Sequence, residues 1–280
     1  MSYSAEISRT NPTCFLFLID RSGSMDDPFG GDAAGRKKSA AVADGVNKLL
    51  QTLAIRCAKE EGVRDYFHVG VLGYGDNKVG PAFSGALAGR DLVPISEVAN
   101  SPARVEERTK KVDDGAGGLV ETKVRFPVWF DAVGVGSTPM CGAMAKARVI
   151  VQNFLAAHPA CFPPVVINIT DGESNDGDPS GLADELKALS VADGNVLVFN
   201  AHLSSSKTPS ILYPDAEGAL PDAFAKTLFR MSSELTGAMQ QAAQAEGFRV
   251  SQRSRGFVFN AELADVVRFI DIGTRVASLR

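Results

Sequence analysis

The sequence predicts an α/β fold in which helices cover both faces of a mostly parallel central sheet. Apolar runs typical of buried strands alternate along the chain with segments of helical period, which is the pattern of such folds. Two of the apolar runs, residues 14–19 and 165–169, each end close to an aspartate. A chain of 280 residues with 45% hydrophobic content can fill a sizeable core. The number and order of the elements suit one doubly wound domain over residues 1–280 better than two small ones.

The first half of the pattern is strand, helix, strand. Residues 14–19 form the first predicted strand, and residues 66–75 alternate like another. Between them, residues 35–62 predict a long amphipathic helix with Gly62 as its stop. The apolar residues of this helix stand at helical spacing, and they are Val46, Leu49, Leu50, Leu53 and Cys57.

The second half continues the alternation. A helix is predicted at residues 139–157, where Thr138 can cap the first turn and Pro139 suits the first helical position. The strand at residues 165–169 then runs into Asp171 and Gly172. The remaining predicted elements are residues 195–203, a helix near residues 234–245, and the segments 247–252 and 256–270.

Two segments stand outside the alternation. Within residues 76–131, two charged segments flank the turn-rich sequence DDGAGG at residues 113–118, which predicts an inserted, exposed β-hairpin. Its charges are typical of a solvated sheet edge. Residues 204–222 predict a long, proline-containing loop, and loops of this length are often functional.

Composition and charge narrow the classes of partner. With 33 acidic and 29 basic residues, the net charge of −4 gives no overall attraction to nucleic acid or to an anionic membrane. No signal peptide or apolar run of about 18 residues is present, so we expect a cytoplasmic protein with no membrane association. The cysteines are far apart and lack a CxxC pair, which indicates reduced thiols. His68 alternates within a predicted strand, while His158 and His202 are isolated, so no histidine metal cluster is expected and all three are predicted to be structural.

Polar residues follow two of the predicted strands and so mark a candidate site. Asp20, Ser22 and Ser24 come directly after the first strand, and Asp171 comes after the strand at residues 165–169. Ligands of open α/β sheets bind beyond the carboxyl ends of strands whose connections leave to opposite faces. If the two strands are neighbours, these residues converge, and the loop before residue 139 brings Thr138 to the same edge. This set offers only oxygen ligands, which indicates Mg²⁺ or Mn²⁺.

Each of these residues also has a purely structural interpretation. Asp20 and Ser22 suit a turn, Thr138 suits a helix cap, and Asp171 with Gly172 suits a tight turn. The sequence DGESNDGD at residues 171–178 resembles a calcium loop, but Asp176 stands where an EF-hand requires glycine. Residues 26 and 27 are aspartates that suit either a solvated loop or an additional ion.

Taken together, Asp20-x-Ser22-x-Ser24, Thr138 in a GSTP loop and Asp171-Gly172 resemble the metal-ion-dependent adhesion site of von Willebrand factor A domains. The resemblance covers nearly the whole chain in element order. It implies a Rossmann-like fold with Ser22 and Ser24 as direct metal ligands and Thr138 as a direct or water-bridged ligand. It further implies that Asp20 and Asp171 bind the metal largely through water, and that a partner's acidic residue completes the coordination.

The resemblance is nearest to stand-alone bacterial members of the tellurium-resistance type, although the Cys-rich tail of some of those proteins is missing here. It implies an intracellular, non-enzymatic interaction module in stress or signalling complexes, with a kinase or phosphatase as partner. Two alternatives stay open. One is an accessory subunit of an AAA+ ATPase, as in magnesium chelatase. The other is a metal-dependent hydrolase or phosphatase with Asp20 as nucleophile, which the absence of Walker A and GxSxG motifs disfavours.

Overall fold

The computed structural model describes residues 3–28, 35–113, 119–203, 209–260 and 263–274. The strands in these ranges are β1 (Thr13–Asp20), β2 (Ala58–Lys59), β3 (Gly62–Val63), β4 (Phe67–Gly75), β5 (Lys78–Pro81), β6 (Val93–Pro94), β7 (Arg104–Asp113), β8 (Leu119–Val128), β9 (Val165–Thr170), β10 (Ser190–Val191), β11 (Gly194–Asn195), β12 (Leu197–His202), β13 (Ile211–Leu212) and β14 (Phe257–Phe259). The helices are α1 (Lys38–Cys57), α2 (Ile95–Asn100), α3 (Met140–Ala157), α4 (Ser180–Ala188), α5 (Ala223–Met231), α6 (Gly237–Ala245) and α7 (Leu263–Gly273).

The central sheet has eight strands, seven of them in the order β13-β14-β12-β9-β1-β4-β5, while β6 pairs with β4. The five strands from β14 to β4 are mutually parallel. The remaining strands, β5, β6 and β13, are antiparallel to their neighbours. A mostly parallel sheet must be covered on both faces, because its strands are buried on each side.

Helices supply that cover, and the alternation along β1 shows how. Phe15, Phe17 and Ile19 point to one face, where they join a core formed with α1, α2, α6 and α7. Leu16 and Leu18 point to the other face and pack with α3, α4 and α5. The predicted α/β class, with helices on both faces of a mostly parallel sheet, is confirmed.

Several element boundaries differ from the prediction. The first helix ends at Cys57, and Gly62 is instead the first residue of β3, where it pairs with Lys59 of β2 and has φ +115°. The third helix begins at Met140 rather than at Pro139. The short helices α2, α4 and α5 were not predicted, and residues 247–252, all of which the structure describes, form neither strand nor helix.

Both unusual segments contain regular structure. The inserted hairpin is present as antiparallel β7 and β8, although residues 114–118 of its predicted turn lie outside the described residues. The predicted loop at 204–222 includes β13, which pairs with β14, while residues 204–208 again lie outside the described ranges. None of the helices in the described ranges has the length and apolarity needed to cross a bilayer.

Candidate metal centre

The candidate site lies where β1 and β9 end side by side. These strands are parallel neighbours in the middle of the sheet. Strand β1 leads through α1 to β4 on one side, and β9 leads through α4 to β12 on the other. Since α1 and α4 pack on opposite faces, a crevice opens between the two connections. The condition on which convergence of the candidate residues depends, that these two strands are neighbours, is therefore met.

Hydroxyl and carboxylate oxygens from three loops meet in this crevice. The Ser24 hydroxyl donates to Asp171 Oδ1 over 2.7 Å, and Ser22 Oγ lies 3.2 Å from Ser24 Oγ. A methyl group added at Gly172 would lie 3.7 Å from Thr138 Oγ1 and 3.9 Å from Ser24 Oγ. The hydroxyls of Ser24 and Thr138 thus flank Gly172, and the structure brings these predicted residues together.

Asp20 is the most deeply fixed member of the set. Its side chain is fully buried, with Oδ1 accepting from the Ser22 main-chain N–H at 2.8 Å and Oδ2 accepting from the Thr170 hydroxyl at 2.6 Å. Loss of hydration disfavours the carboxylate more than these hydrogen bonds favour it, so burial raises the pKa of Asp20 to about 6. The residue is a rigid acceptor at the base of the crevice.

Thr138 is positioned through its backbone, and the prediction that its side chain caps α3 is wrong. Asn175 accepts from the Thr138 N–H at 2.7 Å and donates its own N–H to the Thr138 carbonyl at 2.9 Å. The N–H groups of Cys141 and Gly142, the second and third residues of α3, donate instead to the two carboxylate oxygens of Asp176, each at 2.9 Å. Asp176 is thus the helix cap, which gives the calcium-like stretch a structural role.

Lys38, the first residue of α1, belongs to the site although it was not predicted to. Its ammonium donates to Asp171 Oδ2 at 2.6 Å and to the Ser24 carbonyl at 3.3 Å. The Lys38 side chain is 4% exposed and that of Asp171 is 0% exposed, so this ion pair is withdrawn from water. A signal was present, because Lys38 precedes the buried Ala41 and Val42 by three and four positions and so lies on the apolar face of the helix.

The other candidate ligands have partners of their own. The Asp26 carboxylate pairs with Lys37 Nζ at 2.7 Å on the surface, and this hydrogen bond lowers the pKa of Asp26. The rings of His68 and His158, both predicted to be structural, lie 5.3 Å apart, and no metal-binding cluster forms around them among the described residues. His202 is buried against aromatic rings.

The donor set fits a hard divalent cation. Three hydroxyls and two carboxylates surround the crevice, all of them oxygen donors of the type that Mg²⁺ and Mn²⁺ prefer. Within the described ranges, there is no cluster of three or more His, Cys, Asp or Glu side chains that could hold a metal ion. A metal held here would therefore depend on Ser22, Ser24 and Thr138 as much as on the two acids.

Comparison with protein-family models and with curated proteins returned no match. Similar solved structures include the vWF domain of the type V pili tip protein Mfa5 from Porphyromonas gingivalis, with 17% identity over 59% of this chain and 39% of that chain and a TM-score of 0.29. A structure of the three N-terminal domains of Mfa5 has 15% identity over 59% of this chain and 20% of that one, with a TM-score of 0.30. The pilus adhesin RrgA from Streptococcus pneumoniae has 13% identity over 61% of this chain and 21% of that one, with a TM-score of 0.31.

In each case the matched part is well under two thirds of the solved chain. A likeness at this identity and TM-score establishes neither a family nor a function for this chain. The functional argument therefore rests on the residues of the crevice.

Proposed function

We propose that this chain is a protein-interaction module of the von Willebrand factor A type, which holds Mg²⁺ or Mn²⁺ in the crevice and binds a partner's Asp or Glu through that ion. One observation carries the proposal. The Ser24 hydroxyl, bonded to Asp171 at 2.7 Å, lies with Ser22 and Thr138 at the carboxyl ends of β1 and β9, as the sequence motif requires.

The chemistry of this set favours recognition of an anion. Hydroxyl ligands are neutral, so they leave most of a dication's charge available to a further ligand. A carboxylate from a partner would supply a hard oxygen, and its attraction to the ion grows when the interface excludes water. Asp20 and Asp171 carry two negative charges, but the Lys38 ammonium offsets one of them, so the ion would be only partly neutralised. Asp171 also holds the Ser24 hydroxyl, and Asp20 holds the Ser22 main-chain N–H.

The geometry argues against Asp20 as a nucleophile, and we propose binding rather than catalysis. The Asp20 side chain is fully buried, and both of its oxygens already accept hydrogen bonds from Ser22 and Thr170. A phosphatase assay with purified protein and Mg²⁺ tests this point. Turnover that disappears in Asp20→Asn would replace the binding proposal with the hydrolase alternative.

The metal itself is tested by paired variants of neighbouring residues. Thr138→Val removes a hydroxyl from the crevice with little change in volume, whereas Ser137→Ala removes a hydroxyl bonded to Asn77 outside it. At Mg²⁺ concentrations 100-fold above Kd, a bound ion stabilises a protein by about 2.7 kcal/mol. We expect this stabilisation in wild type and in Ser137→Ala, and its loss in Thr138→Val. Identical melting of wild type in EDTA and in excess Mg²⁺ would refute the site.

The biological setting is the finer part of the proposal. We place the module in cytoplasmic stress or signalling complexes of the tellurium-resistance type, with a kinase, a phosphatase or an AAA+ ATPase as partner. Affinity purification from the native cell with Mg²⁺ and with EDTA tests this assignment. Proteins recovered only with Mg²⁺ identify the partner, and recovery that is the same in both buffers contradicts metal-mediated binding.

A further inference from the structure

A buried lysine ammonium is built into the wall of the candidate metal centre. Lys38 Nζ is bonded to Asp171 Oδ2 at 2.6 Å and to the Ser24 carbonyl at 3.3 Å, with almost no exposed surface. The adjacent Lys37 pairs with Asp26 at a similar distance of 2.7 Å, but its side chain is 57% exposed. Charges withdrawn from water interact much more strongly than exposed ones, so only Lys38 acts strongly on the crevice.

The charges nearest the crevice make metal binding and anion binding dependent on each other. Asp20 and Asp171 carry two negative charges, and Lys38 offsets one of them. A dication therefore meets a smaller attraction than two free carboxylates would offer, and it is repelled by the ammonium. Once the ion is bound, the same ammonium leaves the site with a net positive charge, which a carboxylate ligand neutralises.

Building on the proposed function, we propose that Lys38 is an internal counter-cation that couples the metal to the acidic ligand. It weakens binding of Mg²⁺ to the ligand-free protein and strengthens binding of a carboxylate to the metal-loaded protein. By linkage, the factor by which bound Mg²⁺ strengthens binding of the carboxylate is also the factor by which the carboxylate strengthens binding of Mg²⁺. The partner's acid and the metal thus bind together, and neither binds tightly alone.

The test is calorimetric titration of Mg²⁺ into wild type, Lys38→Met, Lys38→Gln and the matched control Lys37→Met, with and without acetate as the carboxylate probe. Both variants of Lys38 should bind Mg²⁺ about tenfold more tightly than wild type, since a like charge is removed from the wall of the crevice. Acetate should strengthen Mg²⁺ binding to wild type and to Lys37→Met, and have a smaller effect in the Lys38 variants.

Loss of the ammonium leaves Asp171 without its buried partner, so the variants can be unstable without metal. Variants that fold only when Mg²⁺ is added support the proposal, because the ion then neutralises Asp171. The role of Lys38 is rejected if both variants bind Mg²⁺ no more tightly than wild type, or stay unfolded in excess Mg²⁺. No Mg²⁺ binding by any protein, wild type included, would instead remove the metal site, so the two failures are distinguishable.

Discussion

His202, the last residue of β12, makes the stability of this protein sensitive to acid. Its side chain is buried, with its ring stacked on Phe259 at 4.9 Å between centroids and edge-on to Phe224 at 5.6 Å. Its Nδ1 atom has no hydrogen-bond partner among the described residues. Burial disfavours the imidazolium more than the nearby Asp222 and Asp171 carboxylates favour it, and lowers the pKa of His202 to about 4.

The sign of the effect follows from linkage. The folded state holds the His202 proton less tightly than the unfolded state, whose pKa is 6.5. The stabilisation is present above pH 6.5 and is lost as the pH falls towards 4. Between pH 7 and pH 5, this single group lowers the free energy of unfolding by about 2 kcal/mol.

Asp20 opposes this trend and must be separated from it. Its pKa is raised to about 6 by burial, so its contribution to stability grows as the pH falls below 6. Urea unfolding at pH 7 and pH 5 should therefore compare wild type with His202→Phe, which places a non-titrating ring between the two aromatic side chains. The drop in unfolding free energy should be about 2 kcal/mol smaller in the variant.

His158→Phe serves as the control, because that ring is only partly buried, although burial lowers its pKa as well. We expect His158→Phe to follow the wild-type dependence more closely than His202→Phe does. The same loss of stability in wild type and His202→Phe between pH 7 and pH 5 would refute the assignment of acid sensitivity to His202.

Two further substitutions test the core. Asn168→Leu removes the acceptor of the Tyr74 hydroxyl, at 2.7 Å, and the donor to Asn200, at 3.0 Å. Urea unfolding should show a loss of about 2–4 kcal/mol in the free energy of unfolding. An unchanged free energy of unfolding would contradict the importance of this buried network. Gly70→Ala in β4 would place a methyl group 2.4 Å from a main-chain oxygen and should lower the free energy of unfolding by about 1–3 kcal/mol. As the control, a methyl group added at Gly80 in β5 meets nothing within 4 Å, so Gly80→Ala should unfold at nearly the wild-type urea concentration.

The long elements of the fold were predictable because each contains many apolar residues at the spacing of a strand or a helix. Strand β1 is apolar from Cys14 to Ile19, only Asn168 interrupts the apolar run of β9 before its last residue, and α1 spans 20 residues. In contrast, α4 has only two buried residues, Ala183 and Leu186, within nine. So few positions give no reliable periodicity, and packing between α3 and the sheet decides whether such a segment is helical.

The five proposed ligands were predictable because strand ends and local motifs determine where they lie. Lys38 was not, because its burial depends on how the first turn of α1 packs over the ends of β1 and β9. The helical pattern placed Lys38 on the apolar face, but composition alone cannot show that a lysine there finds Asp171 rather than water. Long-range ion pairs of this kind become visible only once the sheet order is known.

The loop after β9 explains how the site obtains a free threonine hydroxyl. Asp171, at the start of this loop, lies in the crevice, Asn175 fixes the Thr138 backbone, and Asp176 satisfies N–H groups in the first turn of α3. Because Asp176 caps the helix, the Thr138 hydroxyl is not needed there and stays beside Gly172. The same loop therefore contributes one candidate ligand and positions another, so the geometry of the site depends on residues that would never touch the metal.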